Sequence, residues 1–248
     1  MKRSLTTTSW KQAAISTILI TGCVIGLGAI VSVVTIAAFA QDSSVQEKLA
    51  AVRQSVAQNT QSLRQYQWIE TTQLTLKGDA KPPTQNSCHY GPDGQVQKTS
   101  MGPPPPQPSG GRLKKKVIEN KKEEMQDYMG DVKALLSMYV PPVPQKMEQA
   151  KQAGKVSLNP AGSVVNLIFR DYAQPGDQMT LIFDTTAKKI TSLSVSTYMG
   201  ETKNKVSLQV QMATLPDGTN YVQETVLNAS AKQLVATTTN STYRKLGG

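Results

Sequence analysis

Histidine, cysteine and large aromatic rings are scarce in this chain. Its 248 residues include one histidine, two cysteines, two tryptophans and three phenylalanines. With His89 the only imidazole, a Ser-His-Asp or Cys-His arrangement would have to use it. Cys88 precedes it directly, and adjacent residues of an extended strand point to opposite faces, so the two do not form a dyad. Cys88, His89 and Asp93 offer three donors from one hairpin with no second cluster, too few for a metal site. Cys23 lies in an apolar segment near the N-terminus, which leaves Cys88 alone in the body. No intramolecular disulfide is available there, and stability has to come from an ordinary core. Gly-x-Ser-x-Gly, His-Glu-x-x-His and Walker-type loops are missing. Carboxylates are present at Asp171, Asp184, Glu201 and Glu224, with nothing in the pattern to select an acid–base pair. The expectation is a protein that is not an enzyme, with no catalytic residue, metal or cofactor. Few aromatics and no recognisable binding motif argue against nucleic acid as a partner.

What is abundant is positive charge, at a formal net +10. Lys2, Arg3 and Lys11 precede the apolar stretch Ala13–Ala40. The 27 basic residues less those three leave 24 against 17 acids, a balance of +7. A positive start, an apolar middle and the small-residue ending Ala38-Phe39-Ala40 before Gln41 match a secretory signal cleaved after Ala40. The apolar stretch also exceeds the roughly 18 residues that can span a bilayer, so an uncleaved signal anchor is the alternative. A third reading is lipidation at Cys23, since Ile20-Thr21-Gly22-Cys23 resembles a bacterial lipobox. All three leave the body exported: periplasmic, or anchored to the inner membrane with the body outside the cytoplasm.

Residues 41–248 read as a single α+β domain. Ser44-Val45-Gln46-Glu47 has the form of a capping box. Val45, Leu49, Val52, Val56, Leu63 and Tyr66 then follow at helical spacing, with Asn59 in the one gap. This predicts a helix over Ser44–Gln65, laid on a sheet or paired in a coiled coil around Asn59. Tyr66–Lys77 changes to a strand period. Asn86–Tyr90 and Gln95–Ser100 flank Gly91-Pro92-Asp93-Gly94, a turn in which proline fixes φ and glycine permits positive φ. A proline-rich loop fills 102–111, either an exposed hinge or a polyproline docking segment. A helical insert occupies 112–153: a helix over Arg112–Tyr139, broken by Pro141, Pro142 and Pro144, then a short one over Gln145–Ala153. Lys114, Lys115, Lys116, Lys121 and Lys122 crowd its start, as a solvated face or a contact with an anionic membrane surface.

An antiparallel β-meander follows, with strands at Val164–Tyr172, Met179–Asp184, Ile190–Tyr198, Lys205–Thr214, Tyr221–Asn228 and Gln233–Tyr243. Val206, Leu208, Val210 and Met212 fall on one face, while Ser207, Gln209 and Gln211 fall on the other, so one face is covered and one is wet. Only the two long helical segments are able to cover it. The last strand is mostly Thr, Ser and Asn, which reads as an under-covered edge where a cavity would open.

An export signal, a long amphipathic helix running into Leu63-Arg64-Gln65-Tyr66-Gln67-Trp68, a helical insert and a closing meander resemble the periplasmic outer-membrane lipoprotein-carrier superfamily. The resemblance implies a curved antiparallel meander, an incomplete barrel, covered on one face by an N-terminal helix and a helical insert. It implies that Arg112–Ala153 is a lid, with Met125, Met129, Val132 and Leu136 as its facing residues. Trp68, Met179, Leu181, Phe183, Val206, Leu208, Val210 and Met212 would then line an apolar cavity for a lipid or the acyl chains of a lipoprotein. The alternative for the same residues is a dry core packed against the helices. The corresponding functions are a monomeric, exported, carrier-like binding protein, or a membrane-anchored interaction or structural module without a small-molecule ligand.

Overall fold

The computed structural model describes residues 33–102 and 112–247. The chain divides into two units, Met1–Ala40 and Gln41–Gly248, and the sheet and its groove belong to the second. Lys2, Arg3, Lys11, Cys23 and most of the expected signal segment lie outside the described residues, as does the polyproline stretch 103–111. Helix α1 runs over Val33–Leu63. That interval contains no glycine or proline to stop it, so Ser44 lies inside the helix and the capping box does not mark its start. Ala38, Ala40 and Gln41 of the expected cleavage site fall on this helix too. Among the described residues, no helix is long and apolar enough to cross a membrane.

After α1 come β1 (Tyr66–Leu76), β2 (Asp79–Ala80), β3 (Thr84–Tyr90) and β4 (Val96–Ser100). Helices α2 (Arg112–Leu136) and α3 (Pro144–Gln152) follow. The meander is β5 (Val156–Ala161), β6 (Val164–Arg170), β7 (Gln178–Asp184), β8 (Lys189–Tyr198), β9 (Lys205–Thr214), β10 (Asn220–Ala229) and β11 (Leu234–Lys245). The β3–β4 turn is as the sequence predicts, with Gly94 at φ +75° and its amide donating to Gly91 O at 2.9 Å. Strand β5 is not foreseen from the sequence, because Pro160 reads as a breaker. Proline is tolerated there because β5 is an edge.

All the strands join one curved antiparallel sheet in the order β4-β3-β1-β11-β10-β9-β8-β7-β6-β5, with β2 paired to β1. It does not close into a barrel; β4 and β5 are its edges. The last strand is therefore not an edge, contrary to the sequence-based expectation. Strand β11 sits centrally, with Thr71–Thr72 of β1 on one side and Thr225 of β10 on the other. Its polar residues satisfy neighbours on both flanks, and no cavity mouth opens at it as an edge.

The inner face carries the core. Val165, Leu167 and Phe169 on β6, Met179, Leu181 and Phe183 on β7, and Val206, Leu208 and Val210 on β9 are all buried. Leu49 and Val52 of α1, Tyr128, Val132 and Leu135 of α2, and Met147 and Ala150 of α3 join the same cluster. Each fully buried large side chain contributes about 1.5–3 kcal/mol. Asn59 seats α1 on the sheet. Its Nδ2 donates to Asn220 O and its Oδ1 accepts from Asn220 N, each at 2.6 Å. The polar gap in the α1 stripe thus belongs to the helix-on-sheet arrangement.

Candidate functional site

Following the inner face across strands shows where the core gives way to a hollow. Leu208, Leu227, Ala236 and Leu74 stand opposite one another on β9, β10, β11 and β1. Two residues along each strand the next row reads Val210, Thr225, Thr238 and Thr72. One further on, Asn240 faces Glu70. The face thus changes from aliphatic through hydroxyl-bearing to charged, and Glu70 takes an ion pair from Lys98 at 2.6 Å.

Over the aliphatic–hydroxyl boundary lies an open groove of about 600 Å³. Its roof comes from α2 and the segment after it: Met129, Gly130, Val132, Lys133, Leu136, Ser137 and Val140. Spacings of three and four put the α2 members on one side of the helix. Its floor is Leu208, Leu227 and Ala236, with Thr72, Thr225 and Thr238 alongside. The Thr72 and Thr238 hydroxyls bond each other at 3.1 Å. Lys133 is the sole charged residue among the described residues of the lining.

The roof is pinned just past the end of α2. Tyr139 is fully buried and its hydroxyl donates to Asp177 Oδ2 at 2.5 Å, with Thr197 Oγ1 at 2.8 Å. Burial first, and the hydrogen bond to Asp177 second, push the Tyr139 phenol far above its ordinary value. Asp177 also accepts the amides of Tyr172, Ala173 and Gln174. A buried carboxylate needs that many donors. Midway along α2, Glu124 pairs with Lys232, an exposed contact.

The sequence-predicted residues separate by place. Met129, Val132, Leu136 and Leu208 line the groove. Met125 and Met212 are half-buried against the core, and Met179, Leu181, Phe183, Val206 and Val210 are buried within it. Trp68 lies elsewhere, stacked on Tyr243 with ring centres 5.6 Å apart and planes at 10°. Its Nε1 donates to Asn240 Oδ1, and Tyr90 packs on its other flank. Leu227, Ala236 and the threonines went unrecognised as lining residues, since their convergence depends on β11 lying between β1 and β10.

Other candidates serve the fold. Asp171 pairs with Lys155 and accepts the Gly176 amide, Asp184 caps the turn amides of Thr186 and Ala187, and Glu201 pairs with Lys203. Cys88 is fully buried, and desolvation raises its thiol above the ordinary value. Among the described residues no group of three His, Cys, Asp or Glu is placed to hold a metal. A second hollow of about 260 Å³ lies between α1 and the turns at 187–189 and 217–220, but Ser55, Asn59, Lys188 and Asp217 make it polar.

No family model matches the chain, and no curated protein matches it. Among solved structures it is similar to a DUF1329 family protein from Desulfovibrio piger, at 6% identity and TM-score 0.40 over 82% of this chain and 94% of that one. It is also similar to a LolA superfamily protein from Nitrosomonas europaea, at 9% identity and TM-score 0.35 over 79% and 94%. What the groove can hold is decided by its own lining.

Proposed function

We propose that this chain is an exported, non-catalytic binding protein of the carrier type, whose groove between α2 and the sheet holds an acyl chain. One observation carries the reading. A 600 Å³ hollow lies beneath α2, with Met129, Val132, Leu136 and Val140 above and Leu208, Leu227 and Ala236 below. Ligand sites of roughly 300–1,000 Å³ with mainly apolar walls and a few polar groups are the usual form of small-molecule pockets. The floor is rigid sheet. The roof is a helix fixed by Tyr128, Val132 and Leu135 in the core and by the buried Tyr139–Asp177 bond just past its end, with the groove open to solvent alongside.

A chain lying in this groove gains about 0.8 kcal/mol for every methylene removed from water, close to fourfold in affinity. Affinity for a series of alkyl chains, followed by displacement of a fluorescent acyl probe, is expected to climb by about that factor per methylene. It then levels off once the groove is full. Ala236→Phe fills the floor, and its affinity is expected to fall about tenfold or more with an unchanged far-ultraviolet spectrum. A flat length dependence, or full affinity in a folded Ala236→Phe protein, would sink the reading. The same reading places the body outside the cytoplasm, periplasmic or tethered to the inner membrane. N-terminal sequencing of the mature protein from its own host decides between the two, a start at Gln41 indicating release.

A further inference from the structure

We infer that the ligand of this groove is a single-chain fatty carboxylate, its head group bound by Lys133; this rests on the acyl-groove reading above. The first observation is charge. Among the described residues lining the groove only Lys133 is charged, and it is a cation. Its side chain is exposed, and among the described residues no carboxylate pairs with it. Three lysines elsewhere do have carboxylate partners: Lys232 has Glu124, Lys155 has Asp171, and Lys98 has Glu70. A lysine over an apolar trough lays its methylenes along the wall and leaves its ammonium at the water boundary, where the end of a bound chain emerges. The neighbouring hydroxyl on the roof does not compete for that role, because Ser137 Oγ donates back to Ala134 O at 2.7 Å.

The second observation is size. A methylene occupies about as much space as a water molecule, roughly 30 Å³. The groove of about 600 Å³ then accommodates on the order of twenty such groups, the bulk of one long chain and its head; of two chains on a glycerol, one would be left outside it in water. A cation at the rim and room for one chain together select a fatty acid over a neutral lipid or a diacyl phospholipid. The body's net positive charge, 24 basic residues against 17 acids or +7, adds a long-range preference for anions.

The experiment compares hexadecanoate, hexadecanol and a diacyl phosphatidylglycerol as competitors for a fluorescent acyl probe, on the full exported protein and on Lys133→Met and Lys133→Arg. Hexadecanoate is expected to bind about tenfold tighter than hexadecanol, as befits one charge-assisted hydrogen bond. Lys133→Met should bring hexadecanoate down to the level of hexadecanol while leaving hexadecanol unchanged, and Lys133→Arg should restore the preference. Equal binding of acid and alcohol by the unaltered protein overturns the head-group assignment and leaves the acyl groove standing. So does an acid preference that survives Lys133→Met, or a loss of both ligands together in that variant. Tighter binding of the diacyl lipid overturns the single-chain assignment. If none of the three competes, the acyl-groove reading itself falls.

Discussion

Thr242 adopts φ +55°, a left-handed conformation that a β-branched residue resists. The register explains why it is there. Gln67 faces Arg244 and Ile69 faces Ser241, so Thr242 and Tyr243 together oppose Trp68, and the bulge turns the Tyr243 ring onto the indole. Glycine takes this conformation freely, so Thr242→Gly is expected to raise unfolding free energy by about 1 kcal/mol, read as a higher urea midpoint at unchanged slope. A second residue sets the behaviour in acid. Asp217 accepts the Tyr66 hydroxyl at 2.5 Å and the Thr219 amide at 3.0 Å, with Lys245 at 3.3 Å. The Tyr66 bond foremost holds its carboxyl far below the ordinary 3.8. A carboxylate depressed in the fold stabilises it fully above that ordinary value, and the contribution disappears as pH falls below it. Asp217→Asn is therefore expected to flatten the stability profile below about pH 4, while differing least from the unaltered protein in slope near neutrality. None of this was legible beforehand. A bulge and a long-range acceptor leave no periodic trace, whereas the alternation of Met179, Leu181 and Phe183 announces a strand directly.

At the scale of elements, α2 illustrates how far periodicity reaches. Its stripe of Met125, Tyr128, Met129, Val132, Leu135 and Leu136 is readable as one apolar side. Which members meet packed core and which meet a hollow is not, because both surroundings ask for the same residue types. The structure divides them: Tyr128 and Leu135 are buried in the core, Val132 is buried at the inner wall of the groove, and Met129 and Leu136 are half-buried over it. Helix α1 shows the reverse case, where a polar residue in the stripe turned out to be an anchor to Asn220. The connection after α2 offers a direct test. Tyr139→Phe removes one donor from the buried Asp177 carboxylate, which retains backbone amides, and is expected to cost about 1–3 kcal/mol by chemical denaturation. Because Tyr139 fixes the end of the roof, hydrogen exchange in the last turns of α2 is expected to quicken more than exchange in β6–β8.

For the whole molecule, six of the seven strands of the meander and the β3–β4 hairpin are visible in outline in the sequence, with β5 hidden by Pro160. Their order in the sheet was not visible. Thr71, Thr72, Thr237, Thr238 and Thr239 look like an unremarkable polar edge until β1 and β11 are set side by side. The groove inherits that difficulty, since Thr72, Thr225, Thr238, Leu227 and Ala236 meet only through this pairing. Removing residues 234–247 takes away the strand that bridges β1 to β10. Calorimetry of that truncated chain is expected to show no cooperative transition, because β1–β4 would retain no covered face.

The central place of β11 also dictates a timetable. Strand β1 leaves the ribosome early, yet its main partner follows roughly 160 residues later, a loop whose closure costs about 4–5 kcal/mol in chain entropy. Sheets dominated by such distant pairings form slowly. This one combines both kinds of pairing: the neighbouring strands β5 to β10 pair locally, and only the joining of β1–β4 to the meander waits for β11, so a product cut short before residue 234 leaves those four strands with nothing to bridge them to β10.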